Sequence, residues 1–97
     1  MSRYFEWDET KAETNYRKHG IRFEEASAVF DDPLCVSEQD RIENGEQRWQ
    51  TIGMVSGLLL LLVAHTVRFE DDDSIEVVRI ISARRATRQE RRRYEHG

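Results

Sequence analysis

The stretch from Leu58 to Phe69 constrains the fold more than any other part of this chain. Leu58-Leu59-Leu60-Leu61-Leu62-Val63-Ala64 leads into His65-Thr66-Val67-Arg68-Phe69, and its centre lacks the apolar–polar alternation of a half-exposed strand. A run of this kind is a strand buried on both faces. It falls far short of the roughly 20 apolar residues that a membrane span needs. The chain must therefore supply strands on either side of this segment and cover for both of its faces.

The flanking sequence meets that demand. Glu46 to Val55 alternates Arg48, Gln50 and Ile52 against Trp49, Thr51 and Gly53, as a strand with two different faces does. Ser56-Gly57 marks a hairpin turn into the apolar run. The acidic segment Glu70-Asp71-Asp72-Asp73 makes the next hairpin, into a β-rich run from Ser74 to Ala83. Leu34 to Glu38 reads as a further strand, followed by a polar loop from Asp40 to Gly45.

At the start, Tyr4-Phe5-Glu6-Trp7 is a short edge strand. Asp8 is the N-cap of a helix that runs to Lys18 or His19, and Gly20 stops it. A second helix spans Glu24 to Phe30, until Asp31-Asp32-Pro33 ends it. At the other end, Thr87 and Glu90 form a capping box for a third helix, with Tyr94 one turn beyond Glu90. The predicted order is β-α-α-β-β-β-β-α. It describes an α+β domain with a small antiparallel meander, two N-terminal helices and one C-terminal helix. At 97 residues the chain is one domain, 1–97.

The formal net charge is −4, which taken alone argues against a nucleic-acid binder. The mean hides an asymmetry. Seven of the fifteen basic residues lie between Arg79 and Arg93, all of them Arg, with only Glu90 opposing them. A basic patch on an acidic remainder holds a polyanion locally, although an Arg-rich helix is also a common solvated face.

The single cysteine, Cys35, allows no internal disulfide and reads as a small packed residue. His19, His65 and His96 have no ligand-like spacing, so neither a metal nor another cofactor is expected. The opening residues lack the apolar segment of a secretory leader, and a soluble, cytoplasmic protein is expected. No glycine-rich phosphate loop and no Ser/His/Asp elbow is present.

What remains is Arg, Lys, His, Glu and Tyr. That set suits metal-free cleavage of RNA, in which the 2′-OH attacks the adjacent phosphorus. The step needs a base, an acid for the leaving 5′-oxygen and cations for the crowded phosphorane. His65 serves either as a core-edge residue or as a titratable group, and Arg48 and Arg79 need a carboxylate or a substrate phosphate as partner.

From Arg79-Ile80-Ile81-Ser82-Ala83-Arg84-Arg85-Ala86-Thr87 through Glu90 and Tyr94, the chain resembles the BrnT toxin family. Phe5-Glu6-Trp7-Asp8, Lys11, Asn15, Lys18-His19-Gly20-Ile21, Arg48, Gly53 and His65-Thr66 with Arg68 carry the same resemblance. It implies a RelE-like fold and a ribonuclease that inhibits translation. It also implies a BrnA-like ribbon-helix-helix antitoxin, through which a hetero-oligomer acts on operator DNA. The residues carried over as catalytic candidates are Arg48, His65, Arg79, Arg84, Glu90 and Tyr94. Lys18, His19, Arg68, Arg85 and Arg88 are the substrate-binding candidates. The alternative is a non-catalytic module whose basic helix docks an acidic partner segment. One geometric condition follows. Arg79 and Arg84 are five residues apart, so a regular strand sends them to opposite faces. Both reach one surface only if the strand ends or bulges near Ser82-Ala83.

Overall fold

The computed structural model describes residues 2–97. Its elements are β1 (Ser2–Glu6), α1 (Glu9–His19), α2 (Phe23–Ala26) and a 3₁₀ turn (Ser27–Asp31), followed by β2 (Val36–Glu43), β3 (Glu46–Val55), β4 (Leu59–Glu70), β5 (Ile75–Arg85) and α3 (Arg88–His96). The order is the expected one.

The five strands form one sheet in the order β1-β5-β4-β3-β2. The apolar run is its central strand. β2 to β5 are an antiparallel meander, but β1 pairs parallel with β5, from Ser2 opposite Ile75 to Glu6 opposite Arg79. The sheet is therefore mixed and not purely antiparallel, because the first strand occupies the free edge of the last. The polar segment expected as a loop from Asp40 is mostly strand. β2 continues to Glu43, and only Asn44-Gly45 turns, both with positive φ. Ser56-Gly57 does the same between β3 and β4, as tight hairpins with right-twisted strands require.

α1 is capped as its sequence predicts. Asp8 Oδ1 accepts from Lys11 N–H at 3.1 Å, and Gly20 adopts φ 72° at the other end. α1, α2 and the 3₁₀ turn lie on one face of the sheet. There Ile21, Phe23, Ala26 and Val29 pack on Leu61, Val63, Val78, Ile80 and Ala83. The 3₁₀ turn presses so closely on β3 that a Cβ at Gly53 would stand 2.7 Å from a Val29 methyl. On the opposite face α3 covers a smaller cluster of Ile52, Leu60 and Leu62, with Tyr94 and Ala86 packed against it.

β1 is short and leaves the second half of the β5 edge unpaired. α1 closes it. The buried Asn15 amide donates to Ala83 O at 2.9 Å, its carbonyl oxygen accepts from Ala83 N–H at 3.0 Å, and the amide also reaches Ile21 O at 3.1 Å. One side chain thus does for Ala83 what a neighbouring strand would do.

Candidate functional site

The register of β4 against β5 decides which charged side chains meet. His65 pairs with Ile80, but Ala64 pairs with Ser82, so Ile81 is an extra residue in β5. This bulge inverts the alternation beyond it. Arg79 stands opposite Thr66 and Arg84 opposite Leu62, two positions of like parity on β4. Both arginines therefore project to the α3 face. The core confirms the inversion: Ile80 and Ala83, three apart, lie in the same cluster on the other face.

The α3 face reads as cross-strand rows. One row runs Glu6, Arg79, Thr66, and the β3–β4 register continued by one residue adds Arg48. A second row holds Tyr4, Val77 and Arg68. The third, Ser82, Ala64, Gln50 and Glu38, is open enough that none of its members is buried. The fourth row begins with Arg84 and Leu62 and runs under α3.

The arginines of this face differ in what they already hold. Arg84 donates two hydrogen bonds to the Glu90 carboxylate, at 2.8 and 2.9 Å. Glu90 also accepts from Thr87 N–H at 2.9 Å and completes the capping box of α3. The guanidinium, aided by that cap, holds the Glu90 carboxyl down to about 2. Arg68 is clamped by Glu6 at 2.7 and 3.1 Å and by Glu70 at 2.9 Å. Its hydrogen bonds lower the Glu6 pKa, and the charge of Arg79 adds to the effect. Arg48 meets Glu43 at 3.0 Å, while its buried Nε has no acceptor among the described residues. Arg79 is half-buried and has no ion pair among the described residues.

α3 is fastened by three polar contacts. Besides Arg84–Glu90, Arg93 reaches Glu38 at 2.9 Å and the Tyr94 hydroxyl donates to Asp32 at 2.6 Å. Burial opposes ionisation of Asp32, but Tyr94 and the N–H groups of Met54 and Leu34 overcome it and leave the carboxyl lowered. The same bond pushes the Tyr94 phenol up to about 12.

His65 does not join this group. It projects to the α1 face, where Nε2 lies 2.7 Å from Thr51 Oγ1 and the ring meets Phe30 edge-on at 4.8 Å. Only 3% of it is exposed, and burial pushes its pKa down to about 4. It lies at the floor of a cleft of about 380 Å³ walled by Phe30, Trp49 and Phe69, on the far side of the sheet from Arg79 and Arg84. Lys18 and His19, at the end of α1, border a hollow beside Ile81 and Ser82 at the edge of β5. Arg85, opposite Leu61, belongs to the α1 face, and Arg88 opens α3; both are exposed.

The structure thus brings Arg48, Arg68, Arg79 and Arg84 to one face, with Glu90 and Tyr94 above it on α3. It separates His65 and Arg85 from them. Sequence reasoning passed over Glu6 and Thr66. The signal for Thr66 was the even-numbered alternation of Ala64, Thr66 and Arg68, hidden behind the leucines that precede it. No group of three or more potential metal ligands occurs among the described residues.

Comparison with known proteins adds three findings. Residues 7–90 match a family model described as "Ribonuclease toxin, BrnT, of type II toxin-antitoxin system". None of the curated proteins matches the chain. The crystal structure of the Brucella abortus ribonuclease toxin BrnT is similar to it, with a TM-score of 0.61 and 26% identity over 91% of this chain and 100% of that one.

Proposed function

Because the chain belongs to the BrnT family of ribonuclease toxins of type II toxin–antitoxin systems, we propose that it is a metal-independent endoribonuclease whose RNA lies on the α3 face. The observation that carries this is the common parity of Arg48, Arg68 and Arg79 on neighbouring strands, with the bulge at Ile81 bringing Arg84 to the same surface. Phosphate contacts come from Arg48 and Arg79, whose planar forks match phosphate oxygens, while Arg68 and Arg84 are held by Glu6, Glu70 and Glu90. In the reaction the 2′-oxygen forms a bond to phosphorus as the bond to the 5′-oxygen breaks. The 2′ proton leaves to solvent hydroxide or water, and solvent water protonates the 5′-oxygen. Arg79 and Arg48 bear the charge that develops on the phosphorane. His65 and Glu90 are withdrawn from the proton steps by burial and by Arg84, and the Tyr94 hydroxyl is committed to Asp32. Electrostatic stabilisation and positioning then supply most of the rate.

In this reading the arrangement of helices on a small sheet is RelE-like, and cleavage inhibits translation in the cytoplasm. A BrnA-like ribbon-helix-helix antitoxin neutralises the toxin in a hetero-oligomer that reaches operator DNA through the antitoxin. A second reading is favoured by the absence of an uncommitted base among His65, Glu90 and Tyr94. In it the α3 face is a non-catalytic dock for an acidic partner segment.

Purified, antitoxin-free protein incubated with RNA in excess chelator separates the two. Cleavage is expected, with Arg79→Ala slower by about a hundredfold, the scale of losing one charge-stabilising donor. Intact RNA at high protein concentration would leave the docking module as the answer.

A further inference from the structure

Thr66 is 93% buried by its neighbours, at 7% exposure, on the α3 face of the central strand. Its hydroxyl makes no side-chain hydrogen bond among the described residues, unlike Thr51, which is engaged by Ser37 and His65. The hydroxyl is not enclosed, unlike the Arg48 Nε, so it is open to a group that settles on this face. A valine would fill the same space without that donor.

Its row supplies the context. Arg79 is opposite Thr66 on β5, and Arg48 follows on the β3 side by the continued register. Adjacent strands are about 4.8 Å apart, so the two arginine backbones stand roughly 10 Å from each other with the hydroxyl midway. Two guanidiniums on long arms converge readily over that gap. Arg84 is a poorer partner for Arg79. It lies four register steps along the sheet, roughly 13 Å away, and Glu90 already holds two of its N–H groups. Arg79 has no ion pair, and the Nε of Arg48 has no acceptor, among the described residues.

We infer that Arg79, Thr66 and Arg48 form the phosphate-binding row of the molecule, with the Thr66 hydroxyl donating to a phosphodiester oxygen between the two guanidiniums. Arg84 belongs with Glu90 to the anchorage of α3. This rests on the α3 face being the RNA surface, and it names which of its residues hold the phosphate.

The test uses an RNA oligonucleotide fully 2′-O-methylated to prevent cleavage, with its affinity measured alongside the thermal midpoint of each free protein. Thr66→Val keeps the volume and loses the donor, and it should bind about tenfold more weakly, as expected for a hydrogen bond to a charged group. Thr66→Ser should bind like the unaltered chain. A hydroxyl with a structural role only would shift the thermal midpoint and leave affinity unchanged. Should Thr66→Val fold poorly, Thr66→Ser against Thr66→Ala compares two small side chains that differ in the hydroxyl alone. Equal affinity within either pair, with Arg79→Ala impaired, overturns the inference and leaves the function standing. Failure of the unaltered chain to bind or cleave RNA removes both.

Discussion

The imidazole of His65 lies between Thr51, the Thr66 carbonyl and the ring of Phe30, and burial pushes its pKa from 6.5 down to about 4. A histidine held neutral in the folded state contributes stability that is fully present above its unfolded value. That contribution declines as pH falls from about 6.5, because the unfolded chain takes up the proton first, and it is exhausted near pH 4. The full shift corresponds to about 3 kcal/mol. Urea unfolding at pH 7, 6 and 5 should therefore show falling stability, and His65→Gln should flatten that slope. An identical slope in the variant would mean that His65 is protonated in the fold. Such a residue is poorly suited to relay protons at neutral pH, whichever face RNA occupies.

α1 is more than a cover for the core, since it completes the sheet. Asn15 satisfies both backbone groups of Ala83 where β1 has run out. Asn15→Leu would leave an N–H and two carbonyls without partners, at a cost of about 3 kcal/mol. Amide exchange at Ala83 in the variant should accelerate with the loss of stability, and unchanged exchange would show that the edge is closed by something else. Elements of this kind explain what the sequence disclosed. The first and last helices could be placed from their caps, Asp8 with Gly20 and Thr87 with Glu90, because capping is local chemistry; the second, expected as one helix from Glu24 to Phe30, is a single α-turn followed by a 3₁₀ turn. The central strand followed from its leucines. The parallel seat of β1 and the extension of β2 did not, because edge pairing depends on which partner is free, and polar residues such as Asp40 and Arg41 serve an exposed strand as well as a loop. The site divided in the same way. Arg48, Arg68, Arg79 and Arg84 were visible as cations, but Arg84 joins the face of the other three only through one inserted residue. His65 was assigned to the wrong company because parity across strands is a tertiary property.

At the scale of the whole molecule, an acidic chain of net charge −4 presents a cationic surface. Many of its carboxylates are spent on its own arginines, as with Glu6 on Arg68, Glu90 on Arg84 and Glu38 on Arg93. Of the remainder, Glu9, Glu24 and Glu25 lie on α1 and α2, and Asp71 to Asp73 in the β4–β5 hairpin. Affinity for RNA should therefore fall with salt despite the overall sign. Two phosphate contacts by Arg48 and Arg79 give a slope of about −1.4 in log affinity against log salt. Titrations of the 2′-O-methyl RNA between 50 and 300 mM salt would read it, and a slope near zero would mean that phosphates are not held by this face.

The extra residue at Ile81 also sets where the chain tolerates changes in length. The hairpin tips at Asn44-Gly45 and Ser56-Gly57 protrude into solvent, and residues added there displace nothing. Between Arg79 and Arg84 an odd separation works only with the bulge. Flattening the bulge while keeping every residue would turn Arg84 toward the hydrophobic interior and deliver α3 to the wrong side of the sheet, whereas losing the one extra residue would leave the two arginines four apart and on the same face. Relatives that keep this architecture should vary freely in length at their hairpin tips, and across this short interval should either keep the bulge or lack its one residue.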